Sequence, residues 1–95
     1  MTTDNVEFYV RYQKYSISND IYEKIEGTAL EAVLSGRQCD KMMYGLPQID
    51  RPQRNFIILM DYLEKGVIPK DRQERNLLRD EMKLWCFEDA DLVAL

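Results

Sequence analysis

Apolar and polar positions change period four times along this chain, and each change predicts an element. From Val6 to Tyr12 the apolar side chains Val6, Phe8, Val10 and Tyr12 alternate with Glu7, Tyr9 and Arg11, the two-residue period of a strand with one buried face. Tyr15 and Ile17 then alternate with Lys14, Ser16 and Ser18, so a second strand is predicted, joined to the first by a tight turn around Arg11 to Lys14. That turn lacks the Asn-Gly or Gly-Gly pair that favours a hairpin. Ser18, Asn19 and Asp20 are three candidate helix caps, and Glu23 follows Asp20 at capping-box spacing, so a helix should begin near residue 20 and end at Gly27. Thr28 can cap a second short helix, in which Leu30, Val33 and Leu34 share one side before Gly36 closes it.

Between Arg37 and Pro47 the periodicity fails, which reads as a loop carrying Met42, Met43 and Tyr44 close together. Two readings stay open for these three side chains. They tuck beneath the loop as a satellite of the core, or they form an exposed knob for a partner; methionine suits an adaptable contact surface either way.

A short strand at Gln48-Ile49 should end at Asp50, whose carboxylate can cap the next helix, with Pro52 tolerated in its first turn. Phe56, Leu59, Met60 and Leu63 line one side of that helix, and Ile57 and Ile58 widen it. A helix apolar over so much of its circumference has to be covered on more than one side, and is therefore central. Gly66 supplies the stop, Val67-Ile68 crosses back, and Pro69 and Asp71 open a last helix. Its stripe is Leu78, Met82 and Trp85, widened by Leu77 and Leu84, against a solvated face of Arg72, Glu74, Arg75, Arg79 and Lys83. From Glu88 to Leu95 the chain turns acidic and then apolar, a segment expected to dock or to fray.

Length and composition narrow the picture. Ninety-five residues make one domain, able to bury roughly 60–65% of the surface that the unfolded chain exposes. A net charge of −4 argues against a phosphate-binding surface, because nucleic-acid affinity rests on Lys and Arg neutralising phosphates. Histidine is absent, and Cys39 and Cys86 belong to no metal-binding spacing, so no zinc set, no cofactor site and no histidine-based catalytic pair can be assembled. Both cysteines read as reduced thiols, and Cys86, between Trp85 and Phe87, as a small buried apolar residue. The first residues have no secretory-signal pattern and no run approaches the roughly 18 apolar residues of a membrane span. The expectation is a soluble intracellular protein, cytoplasmic or nuclear.

In this order the elements resemble the BTB/POZ domain, in particular its potassium-channel tetramerisation (KCTD-like) type. Val10 and Tyr15 fall on the family's first strand pair, Thr28 and Leu30 on its Ser-x-Leu helix start, and Val33-Leu34-Ser35-Gly36 on its Met-Phe-x-Gly helix end. Ile49-Asp50-Arg51 matches its Ile-Asp-Arg directly, as do Phe56, Leu59, Tyr62-Leu63, Gly66, Leu77-Leu78, Glu81 and Trp85 within their blocks. The similarity runs from about Val6 to Leu92, within a single domain of residues 1–95. The chain departs from the family where a glycine pair is replaced by Arg11-Tyr12, where Gln48 stands for an aromatic, and in the short segment after Gly66.

The resemblance implies an α+β fold, a small three-stranded mixed sheet packed against about four to five helices. It also implies a non-enzymatic protein–protein interaction module that assembles with itself as a tetramer or pentamer. In the adaptor branch such a domain recruits a cullin, the scaffold of a ubiquitin ligase, which makes Met42, Met43, Tyr44 and Phe87 candidates for partner contact. Asp50, Arg51, Arg54 and Asp61 are candidates for the oligomer interface, although Asp50 is more simply a helix cap. In the channel branch the domain assembles the subunits of a potassium channel; a lone domain could equally act as a competitor of related oligomers. A reading from another class is a small helical DNA-binding regulator with a helix-turn-helix over Ala29 to Gln48, which the acidic balance and Pro52 oppose.

Overall fold

A computed structural model describes residues 5–38 and 41–88. The N-terminal hairpin forms as β1 (Val6–Val10) and β2 (Gln13–Ile17), antiparallel, with Val6 opposite Ile17 and Val10 opposite Gln13. Only Arg11 and Tyr12 lie between the strands. Arg11 takes the positive φ of 56° that a two-residue hairpin turn usually gives to glycine, so the missing glycine pair is tolerated at a backbone cost. Two hydrogen bonds hold it there: the Arg11 amide donates to the Ile49 carbonyl at 2.7 Å, and Gln48 Nε2 donates to the Arg11 carbonyl at 2.7 Å. Because the turn interrupts the alternation, Tyr12 is 82% exposed and leaves the buried row that the sequence pattern assigned to it.

Two short helices follow, α1 (Asn19–Lys24) and α2 (Ala29–Leu34). Ser18 caps the first by accepting from the Ile21 amide, and Thr28 caps the second by accepting from the Glu31 amide.

The stretch expected to be a loop is structured, which corrects both the loop and the three-strand sheet. Met42–Met43 forms β3, the tight turn Tyr44-Gly45 follows, and Leu46–Ile49 forms β4. The sheet therefore has four strands in the order β2-β1-β4-β3, with β4 parallel to β1 and antiparallel to β3. A parallel neighbour requires a crossover, and α1 and α2 provide it. The same finding removes the helix-turn-helix, since Ala29 to Gln48 contains one short helix and a hairpin rather than two helices.

Two long helices complete the described chain, α3 (Gln53–Lys65) and α4 (Arg72–Leu84). The capping role expected of Asp50 is not filled: Pro52 occupies the cap position of α3, which has no side-chain cap, and Asp50 turns to Arg11 instead. Asp71 does cap α4, accepting from the Glu74 amide at 3.2 Å, and Gly66 ends α3 in the left-handed region at φ 68°.

Helix α3 is the hub. Phe56, Ile58, Leu59, Met60 and Leu63 are all buried, and Phe56 meets Phe8 edge-on at 5.6 Å and Tyr15 at 5.9 Å, joining the helix to the hairpin. Leu30, Leu78 and Met82 close the same core. Truncating Phe56 to alanine would cost about 3–5 kcal/mol, a large part of what a domain this small has. Ile57 and Leu84 leave the stripes assigned to them, both exposed, and Cys86, expected to be buried, is exposed with φ 62° as the chain turns away after α4. Cys39 and the segment 89–95 lie outside the described residues.

Candidate functional site

The β3–β4 hairpin builds one candidate surface. Its two central residues, Tyr44 and Gly45, both have positive φ, 52° and 79°, the backbone of a type I′ turn, whose twist matches that of the flanking strands. Glycine adopts this freely; tyrosine pays about 1–2 kcal/mol. Part of that cost is offset where the Tyr44 ring meets Tyr9 at 5.9 Å, a contact of a kind worth about 0.5–1.5 kcal/mol. The tyrosine nevertheless remains 84% exposed, and Met42 beside it 56% exposed.

Strand pairing sets what lies around them. Tyr9 is opposite Gln48 and Met43 is opposite Leu46, so Tyr9, Gln48, Leu46 and Met43 share the sheet face away from Val10 and Ile49. All four are half-buried, and Gln48 Nε2 approaches Met43 Sδ at 3.6 Å. Of the two readings left open for the methionine pair and Tyr44, Met42 and Tyr44 follow the exposed one, while Met43 lies against the sheet. Phe87 is placed differently: it is buried, its amide bonded to the Met82 carbonyl at 2.9 Å, and it lines a groove with Lys24, Tyr62, Leu63, Gly66 and Met82. The four partner-contact candidates thus comprise two exposed, one half-buried and one core side chain.

The oligomer-interface candidates divide just as sharply. Asp50 is exposed and paired with exposed Arg11 at 3.1 Å. Arg54 is exposed and 3.8 Å from Glu74. Asp61 is half-buried on α3 and makes no ion pair among the described residues. Arg51 is half-buried and engaged within the molecule: its Nε donates to Glu81 Oε1 at 3.0 Å, and its Nη2 reaches the same oxygen. Glu81 is 0% exposed, and its other oxygen accepts from Trp85 Nε1 at 3.1 Å. A carboxylate taken wholly out of water needs such partners on both oxygens, because solvation is lost on burial.

The Glu81 arrangement was not read from the sequence, although a signal was present. Position 81 lies three residues after Leu78 and four before Trp85, so a charged side chain stood within an apolar stripe. A second polar cluster joins α1 to α2. Arg37 Nη2 donates to Glu31 Oε1 at 2.8 Å and Tyr22 Oη donates to Glu31 Oε2 at 3.2 Å. The Arg37 hydrogen bond, chiefly, holds the Glu31 carboxyl below its usual range, while burial, chiefly, raises the Tyr22 phenol.

Among the described residues no three His, Cys, Asp or Glu side chains stand together to hold a metal ion, and no helix is long and apolar enough to cross a membrane. What the structure defines is a small α+β fold with a four-stranded mixed sheet and four helices among its described residues. Compared with protein-family models and with curated protein sequences, the chain matches none.

Proposed function

We propose that this chain is a non-enzymatic interaction and self-assembly module of the BTB/POZ tetramerisation type, an adaptor that brings a cullin-type ubiquitin ligase scaffold to another protein. The observation that carries the reading is the exposed tip of the β3–β4 hairpin, where Met42 and Tyr44 stand in solvent although both are large and apolar enough to be buried. Keeping a tyrosine there costs backbone energy that glycine or asparagine would avoid. A mixed sheet made of a hairpin and a parallel return strand, followed by a central helix and a final helix, agrees with the order of the resembling motifs.

In the adaptor reading Met42 and Tyr44 are the contact pair and Met43 supports them from the sheet. Asp50, Arg54 and Asp61 contribute to contacts between copies, whereas Arg51 is occupied by Glu81. Two measurements test this. Light scattering on the eluting protein should give four or five copies, and the immobilised chain should capture the purified N-terminal region of a cullin. Replacing Met42 and Tyr44 together with aspartate should abolish capture without altering the copy number. A monomer that captures nothing would overturn the proposal.

A further inference from the structure

We infer that the solvent face of α4 is a self-association surface whose occupant is the acidic face of α1 on a second copy of this chain; the inference rests on the self-assembly reading above and adds a pair of faces to Asp50, Arg54 and Asp61. Arg72, Asn76, Arg79 and Lys83 recur at alternating steps of four and three residues, which places them on one side of α4 along about 16 Å of helix. Arg72 and Lys83 are exposed and Arg79 is half-exposed, and none of the three cations makes an ion pair among the described residues. The remaining arginine of the helix is already engaged, Arg75 Nη1 donating to the Lys70 carbonyl at 2.7 Å. Asp80 is the one acid on that outer side. A row of unpaired cations in a chain of net charge −4 points to an anionic occupant.

The chain carries its own complement. Asp20 and Glu23 lie one turn apart on α1, Glu26 follows just beyond it, and all three are exposed with no ion pair among the described residues. Lys24, the basic residue of that helix, is exposed but engaged, its Nζ donating to the Leu63 carbonyl at 3.0 Å, so the acids of α1 and its following turn outnumber the one cation beside them. Half-exposed Leu84, at the end of α4, adds an apolar edge to the basic row. Because the two faces sit on different elements, α4 of one copy meets α1 of another. Such a contact either closes a ring or, by being made twice, joins a two-fold pair. Exposed pairs are individually weak and screened by salt, so the association is modest, concentration-dependent and salt-sensitive.

Sedimentation equilibrium on the full chain tests the assignment with two double variants, Arg72→Glu with Arg79→Glu and Asp20→Lys with Glu23→Lys. Each alone should self-associate about tenfold more weakly or worse, and an equimolar mixture should recover most of the loss because the reversed faces again match. Raising salt from about 0.05 to about 0.5 M should weaken association of the unaltered chain. Circular dichroism checks that the variants fold; if one does not, the salt titration of the unaltered chain decides. Association that ignores both charge reversal and salt, or variants that weaken without recovering on mixing, would overturn the α4–α1 assignment and leave self-assembly standing. An unaltered chain that stays monomeric throughout would remove both.

Discussion

Two arginines reach for carboxylates from opposite ends of one short segment's setting, and the resulting pairs behave differently. Arg11 meets Asp50 at the surface, where both ends are well solvated. Arg51, the next residue along from Asp50, reaches from a part-exposed position to Glu81, whose carboxylate is wholly removed from water and shared with Trp85. The surface pair orders a turn and can be lost cheaply. In the second group Glu81 has no access to water and depends on both partners, while Arg51 keeps about a third of its side chain exposed, which makes the group a lock between the β4–α3 connection and α4.

The largest expected effect is on the lock. Glu81→Ala leaves the buried Trp85 N–H unpaired and the part-exposed Arg51 guanidinium without its partner, and should cost about 2–3 kcal/mol in urea unfolding. If the loss were below about 1 kcal/mol, the buried pair would be no stronger than the surface one and the contrast would fail.

An intermediate case is Glu31, tied to exposed Arg37 but itself largely covered. Its carboxyl is depressed from the ordinary 4.5, chiefly by the Arg37 hydrogen bond, so between the folded value and 4.5 the unfolded chain binds more protons than the native one. The stabilisation is therefore complete above about 4.5 and disappears as pH falls through the folded value. Acid titration of stability should show this loss in the unaltered chain and a smaller one in Glu31→Gln.

Relief of the first hairpin turn comes next. Arg11→Gly removes the side chain from a residue at φ 56°, and should raise stability by about 1 kcal/mol despite the lost Asp50 contact. A fall in the midpoint of thermal unfolding would mean that the surface pair outweighs the strain. The smallest effect belongs to Asp50→Ala, expected within about 0–1 kcal/mol by the same denaturation. A larger loss would give Asp50 the structural weight that its expected capping role implied.

How far the sequence could be read follows from how each signal is made. The alternation of β1 and β2 and the apolar girth of α3 are repeated over many residues, and both elements are where the pattern predicts them. Thr28, Asp71 and Gly66 were legible because caps act on the backbone within a few residues. Strand β3 was not, since two residues are too few to show a period, and its turn carries tyrosine where asparagine or aspartate would have announced it. Asp50 was misread because Pro52 took the cap position and Arg11, far away in sequence, offered a competing partner. Of the surface candidates, the residues could be named from the motif they resemble, but exposure depends on long-range packing: Phe87 is buried and Tyr44 is exposed.

The Ala29 amide donates to the Trp85 carbonyl at 2.9 Å, and Arg51 closes on Glu81. Both bonds join early parts of the chain to α4, the last of the described helices to leave the ribosome. Until that helix emerges, a nascent chain holds a guanidinium and a helix-start amide without their native mates. Acquisition of the native state is thus deferred until synthesis of α4 is finished, and a translation product halted before Glu81 should be a client for chaperones rather than a partly working domain.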